Sequence, residues 1–478
     1  MKQTTKALLG LAVLVVVAGA IGGVALWSGK DEEKKAEAKE KSEKLFDFDK
    51  AKVKELRLSK DGQLTARLTK ADKSWKMVQP VQSDGDDTAV DNLLAALIGL
   101  KQKKDLAEER DLKAYGLDHP RLEVAVTLDD GKEQGLQVGT DNSFDNTLYV
   151  KKLGDETVRV LDGYQKNSLE KTPFDLRDKR VARLDDATEV RKVEVTGVTS
   201  PYKLEKDGTT WKVNGEAADG PIAEGVVTSV KTLRATAIAA EQAKSLKDYG
   251  LDKPKTVVKL TVGADKDATT RTLKLGQAKS GAVAQKTYAQ RDDGPVVYEV
   301  DKQILTSLEK PLFELQNKEL VHIDRESVRK LVFEGPSGKV EVARSKDPLP
   351  DGGAALDETF TVLGPTKGPA KNWKISSALY SIASLRAATF EGPVPPPKDL
   401  GKYGLDKPKT VTLLGDGDKV LARVRLGAEK DGNRYALSDS FPRLVRVAKS
   451  TVDDWPWTEA DALQTPPTPP PGTGQASK

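Results

Sequence analysis

Cysteine is missing from the whole 478-residue chain, and histidine occurs only twice. Without thiols there is no disulfide, no thiolate nucleophile, no Cys-ligated zinc or iron–sulfur cluster and no acylated lipoprotein cysteine. With only His119 and His322, far apart in the chain, the usual acid–base side chain near neutral pH is almost gone. A surplus of one charge is lacking too: 77 Lys+Arg stand against 73 Asp+Glu, and a net charge of +4 gives no electrostatic footprint for nucleic acid. No HExxH, Gly-x-Ser-x-Gly, Walker loop or dinucleotide fingerprint occurs. The acidic runs Ser83–Asp87 and Gly415–Asp418 lack the spacing and terminal glutamate of an EF-hand. These absences predict no cofactor, no metal site and no catalytic residue. A carboxylate-pair hydrolase stays open, but only if one cleft holds two acids with displaced pKa values.

What is present begins with an uncharged apolar run, ALLGLAVLVVVAGAIGGVALW at 7–27, after Lys2 and Lys6. At about 1.5 Å per residue it matches a bilayer core of roughly 30 Å, and it outlasts the 7–15 residues usual for a cleavable signal. Ala18-Gly19-Ala20 offers a cleavage site, yet the run continues to Trp27. The reading is a transmembrane helix at 7–27 with a cytoplasmic tail at 1–6. A charged stalk at 28–44 follows, with Asp31/Lys35, Glu37/Lys41 and Glu40/Lys44 at helical spacing. The expected placement is a single pass in a bacterial inner membrane with the C-terminal part extracytoplasmic.

Internal repetition is the strongest signal. Tyr-Gly-Leu-Asp-x-Pro occurs three times: Tyr115, Gly116, Leu117, Asp118 and Pro120; Tyr249, Gly250, Leu251, Asp252 and Pro254; Tyr403, Gly404, Leu405, Asp406 and Pro408. Upstream of each copy apolar residues alternate (Leu56/Leu58, Val193/Val195), with Asp61-Gly62 and Asp207-Gly208 as tight turns. An amphipathic helix follows, with the stripes Val90/Leu93/Leu94/Leu97/Ile98, Val226/Val227/Val230/Leu233 and Ile375/Leu379/Ile382/Leu385. Strands resume after the hexapeptide. Helix-like closing segments start at Leu169 and Leu308, and Trp455 and Trp457 are read as replacing Phe174 and Phe313 in the third copy. Each unit reads as α+β, an antiparallel sheet covered by helices. The spans are 45–183, 184–320 and 321–464, in a rod or arc without flexible linkers, followed by a disordered Pro-rich tail at 465–478. Two stretches, Ser345–Ala355 and Gly392–Lys398, read as insertions in the third copy.

Local physics accounts for the hexapeptide without a ligand: Gly takes the left-handed position that ends a helix, Leu folds back onto the last turn, and Pro starts an extended segment. It is a structural repeat motif.

The triplicated hexapeptide, the Trp-containing hairpin before it and the basic N-terminal start resemble the bacterial domain-of-unknown-function 4340 family over Leu45–Leu463. That resemblance implies a membrane-anchored envelope protein associated with ABC-type, gliding-motility-like transporter components. It implies no activity and no catalytic residues. The expected function is a non-enzymatic extracytoplasmic scaffold with inner-membrane transporter subunits as partners. The alternative is a polysaccharide- or peptidoglycan-binding protein that stacks sugars on Tyr288, Tyr298 or Trp373.

Overall fold

Period-two alternation sends Leu56, Leu58, Ala66 and Leu68 to one side of a pleated sheet, where all four are fully buried. The computed structural model describes residues 43–106, 111–185, 187–263, 265–277, 286–345 and 359–464. Its first sheet contains β1 (Val53–Lys60), β2 (Gln63–Ala71), β3 (Ser74–Gln79), β4 (Ser83–Asp84), β5 (Gln102–Leu106), β6 (Leu122–Leu128), β7 (Glu133–Asn142), β8 (Thr147–Lys152) and β9 (Val158–Asp162). They lie in the order 4-3-2-1-6-7-8-9-5, all antiparallel. Two meanders therefore join at the β1–β6 pair, and helix α1 (Asp87–Ile98) carries the chain from the β4 edge to β5 at the opposite edge.

The same nine-strand order recurs twice, with α2 (Gly220–Lys231) and α3 (Asn372–Ala383) in the place of α1. Each helix buries its apolar stripe on one face of its sheet: Val90, Leu93, Leu94 and Leu97; Val226, Val227 and Val230; Ile375, Leu379 and Ile382. At roughly 1.5–3 kcal/mol for each buried aliphatic side chain, this face is the main source of stability. Trp75, Trp211 and Phe360 occupy the same place in the third strand of each sheet, and all are buried.

The expected N-terminal transmembrane helix has no counterpart among the described elements of the structure. Among the described residues no helix is long and apolar enough to cross a membrane. The longest have 12 residues, about 18 Å at 1.5 Å per residue against a bilayer core of roughly 30 Å. The run at 7–27 and the stalk through residue 42 lie outside the described residues, as do the tail at 465–478 and most of the first expected insertion. The single-pass inner-membrane placement and the extracytoplasmic C-terminal part rested on that helix and are withdrawn with it, as is the membrane-anchored partnership with transporter subunits that the resemblance implied.

The closing segments also differ from the expected helices. Lys166–Leu169, Gln303–Leu308 and Leu312–Leu315 are helices of one turn or little more, and the chain then runs extended between two sheets. Pro173 and Pro311 stop helix growth, and the backbone groups that follow find partners in sheet edges instead. Trp455 and Trp457 do not replace Phe174 and Phe313: both pack inside the third core, where Trp457 meets Phe333 at 5.8 Å.

Candidate binding cleft

The segment after each sheet is a clip between neighbouring repeats. At the first junction Asp178 N–H donates to Asp84 O (3.0 Å) and Asp86 N–H to Leu176 O (2.8 Å), which ties the segment to the β4 edge. Val181 N–H then donates to Leu233 O (2.9 Å), and Ala235 N–H to Lys179 O (2.8 Å), which ties it to the next sheet. The second junction repeats the clip with Asn317 to Ala217, Asp219 to Leu315, Leu320 to Leu385 and Ala387 to Lys318. An ion pair repeats as well. Asp86, the N-cap of α1, receives Arg234 at 2.9 Å, and Asp219, the N-cap of α2, receives Arg386. Each capping carboxylate thus serves the first turn of its own helix and an arginine of the next repeat.

Beyond the clip the junctions diverge. The edge strand of the second sheet, Ala235–Ala240, pairs with the clip segment only at its start, where Arg180 bridges Arg234. The segment then leaves it for β4, and a cleft opens between the two sheets. Its cavity of about 450 Å3 is lined by Met77, Pro80, Val81, Pro173, Phe174 and Ile238, with Arg177 and Glu241 as its charged residues. That volume lies within the roughly 300–1,000 Å3 usual for small-molecule and side-chain pockets. Arg177 is 7 % exposed and donates to Glu241 at 2.5 Å. Ser83 Oγ, opposite Met77 in the β3–β4 pair, is buried with no hydrogen-bond partner among the described residues.

At the second junction the same space is about 270 Å3 and is bordered by Phe390, Phe441 and Arg443. Sheet register makes Phe390 the counterpart of Ile238, since Ile238 pairs with Tyr298 and Phe390 with Val445. Counting back along the same hairpin strand sets Phe441 against Gly294 and Arg443 against Val296. The larger side chains narrow the gap. Phe390 meets Phe313 at 4.8 Å and Phe441 at 5.8 Å, Arg443 lies over Phe390, and Arg443 pairs across the junction with Glu216. Glu216 also accepts from Gln316 at 2.6 Å.

Two charged hollows flank the first cleft. One, about 520 Å3, is lined by Lys60, Arg121, Glu170 and Lys171, among others. Arg121 there bridges Asp141 (2.9 Å) and Glu170, and Lys166 also reaches Asp141. The other, about 300 Å3, holds Asp86, Asp178, Arg180, Asp185 and Arg234. Arg180 pairs with Asp178 at 3.0 Å and with Asp185 at 2.5 Å. Nearby, a hydrogen bond from Lys76 holds the Asp84 carboxyl below its ordinary value; burial opposes this and Arg183, at 2.8 Å, adds to it.

The hexapeptides lie elsewhere, on the sheet face opposite the helix. Each ends a 3-10 turn, and Gly116, Gly250 and Gly404 have φ of 65°, 66° and 63°. Leu117, Leu251 and Leu405 are buried, and their N–H groups bond back to Leu112, Leu246 and Leu400. Tyr115, Tyr249 and Tyr403 meet Tyr149, Tyr288 and Tyr435 edge to face at 4.7, 5.0 and 5.1 Å. Asp118, Asp252 and Asp406 are exposed, and Pro120, Pro254 and Pro408 are half-buried. Sequence reading missed two partners of the motif that also occur in triplicate. One is the second tyrosine. The other is a glycine, Gly139, Gly276 or Gly427, where an added Cβ would lie 2.1, 2.6 or 2.1 Å from the carbonyl oxygen of the motif tyrosine.

Tyr288 and Tyr298 are 5 % and 4 % exposed, so neither offers a stacking face. Trp373 is 70 % exposed on α3 with Tyr380, 61 % exposed, on the same helix. The His119 and His322 side chains are 95 % and 92 % exposed, far from the cleft lining. Among the described residues no group of three His, Cys, Asp or Glu side chains is arranged to hold a metal ion.

The family described as "Domain of unknown function (DUF4340)" matches residues 75–239 and 216–361, which together cover more than half of the chain. The chain belongs to that family. The first DUF4340 match starts in β3 and ends in the edge strand of the second sheet, so it contains every cleft residue named above except Glu241. The second starts at Glu216, takes in the clip segment of the second junction and ends in the third strand of the third sheet, before Leu385, Arg386 and Phe390 on the far side of that junction. No curated protein and no solved structure matches the chain.

Proposed function

We propose that the protein is a binding scaffold without a catalytic role of its own, and that its binding element is the cleft between the first and second repeats. The observation that carries this reading is the contrast between two equivalent junctions of one chain. Both carry the same backbone clip and the same Arg–Asp pair, yet aromatic and arginine side chains narrow one to about 270 Å3 while Ile238, Gly294 and Val296 leave the other at about 450 Å3. The apolar wall, with one ion pair at its border, suits a ligand with an apolar extended part. The neighbouring charges are held in ion pairs with one another, which leaves no poised acid, base or nucleophile in the cleft.

The test uses the intact protein and a pooled library of acetylated heptapeptides alternating Val, Ile, Leu or Phe with Lys, Glu, Ser or Thr. The wild type is expected to select binders, and a variant carrying Ile238→Phe and Val296→Arg, which copies the narrower junction, is expected to bind them at least tenfold more weakly. Equal binding by the two proteins, or no binder for the wild type, overturns the reading.

A further inference from the structure

Resting on that cleft, we infer that its occupant is an extended segment of a partner protein, which joins the second sheet as a further strand alongside Ala235–Ala240. The strand is an edge of its nine-stranded sheet. Its first residues already accept a strand partner: the clip segment bridges Arg180 to Arg234 and bonds to Leu233 and Ala235 before departing. An incoming segment would continue that interface along the rest of the edge, where the clip no longer covers it.

The side chains permit this approach only here. The edge strand of the second sheet reads ATAIAA, small and uncharged throughout. Its counterpart β5 reads QKKDL, with Lys103, Lys104 and Asp105 exposed along the edge. In the third sheet the edge reads TFEGP; Pro393, at the position of Glu241, has no N–H to give, and Glu391 is held by Arg446 at 2.7 Å. Edge strands exposed to solvent are usually guarded by lysine, proline or charge, because an unguarded edge recruits other strands. Here the guards are present on the first and third edges and missing from the one that lines the open cleft.

A strand seated there would turn every second side chain toward Met77, Phe174 and Ile238, which makes apolar residues at alternate positions the recognition element.

Backbone chemistry separates this inference from simple occupancy of an apolar cleft. The strongest heptapeptide from the pool is resynthesised in two N-methylated forms, one blocking N–H groups at odd positions and one at even positions. A peptide paired to an edge uses every second N–H only. One form is therefore expected to bind at least tenfold more weakly while the other stays within about twofold, the loss of two hydrogen bonds at roughly 0.5–1.5 kcal/mol each sufficing for that factor. Amide hydrogen exchange in the wild-type complex is expected to slow at Ala235–Ala240. If both methylated forms bind like the parent while the Ile238→Phe variant still loses binding, strand addition is overturned and the cleft reading survives. If binding is indifferent to Ile238→Phe as well, both fall.

Discussion

Replacing Gly250 by alanine tests how the hexapeptide works, because second-repeat glycines separate the two costs involved. Gly208 has φ of 58° with nothing within 4 Å of an added Cβ. Gly208→Ala should therefore show the left-handed backbone term alone, about 1 kcal/mol. Gly276 has no positive φ, but its added Cβ would meet the Gly250 and Tyr249 carbonyl oxygens at 2.5 and 2.6 Å. Gly276→Ala therefore shows the steric term, about 2 kcal/mol as overpacking against backbone that cannot rotate away. Gly250 combines both: φ of 66° and an added Cβ 2.4 Å from Gln277 O. Gly250→Ala should cost about 3 kcal/mol, the sum of the two.

A melting temperature of the whole chain would blur this difference, since three repeats need not unfold as one two-state unit. Amide hydrogen exchange followed by mass spectrometry resolves the repeats, and each 1.4 kcal/mol is a tenfold change in opening. Peptides from the second sheet should exchange roughly a hundredfold faster in Gly250→Ala and about fivefold faster in Gly208→Ala, with those from β1–β4 as the internal control. Equal effects for the two variants, or an unchanged second sheet in Gly250→Ala, would refute the account of the motif as a strained clasp on the sheet.

Three further outcomes follow from the junctions and the helix caps. Asp219→Ala removes the α2 cap and the partner of Arg386, and should cost about 2 kcal/mol, with exchange rising on both sides of the second junction. Lys371, which precedes α3 and makes no side-chain cap, is a site for gain: Lys371→Asp should stabilise the third repeat by about 0.5–1 kcal/mol in urea unfolding. Asp84 has a lowered pKa when folded, so the stability it contributes is complete above about pH 4 and is lost as pH falls through its folded value. The difference in unfolding free energy between wild type and Asp84→Asn should therefore be constant from pH 5 to 7 and shrink below about pH 4; a constant difference down to pH 3 would remove Asp84 from the junction.

The strands and the three long helices were legible because each buries one face, and burial on one face writes a period into the sequence: two for Leu56/Leu58, about 3.6 for Val90/Leu93/Leu94/Leu97. The hexapeptide was legible because left-handed backbone and a buried leucine tolerate few residue types. Its partner glycines and tyrosines were hidden, since Gly139 or Tyr149 looks ordinary until the sheet brings it beneath the motif. The closing segments were misread because local propensity favours a helix where unpaired edges on two sides demand extended backbone. The cleft left almost no trace. Its lining comes from three stretches, 77–81, 172–177 and 237–241, that only the fold brings together, and its openness depends on what Ile238, Gly294 and Val296 are not.

The first and third repeats differ from the internal junctions at one charged position each. The arginine that crosses each internal junction is Lys101 in the first repeat, and the aspartate that receives it is Lys371 in the third. A head-to-tail contact between two copies would thus bring two cations to the position where each internal junction has an ion pair. Both ends keep half of the backbone clip, Leu45 to Leu100 at one end and Gln464 to Pro369 with Lys371 to Ala462 at the other. The outer clips therefore keep backbone hydrogen bonds of the internal kind and differ from them in charge at that position. The same economy governs the cleft. Three substitutions relative to the second junction turn a narrower contact into a wider cleft while clip and ion pair stay in place, so the first junction holds its sheets together without needing the space between them.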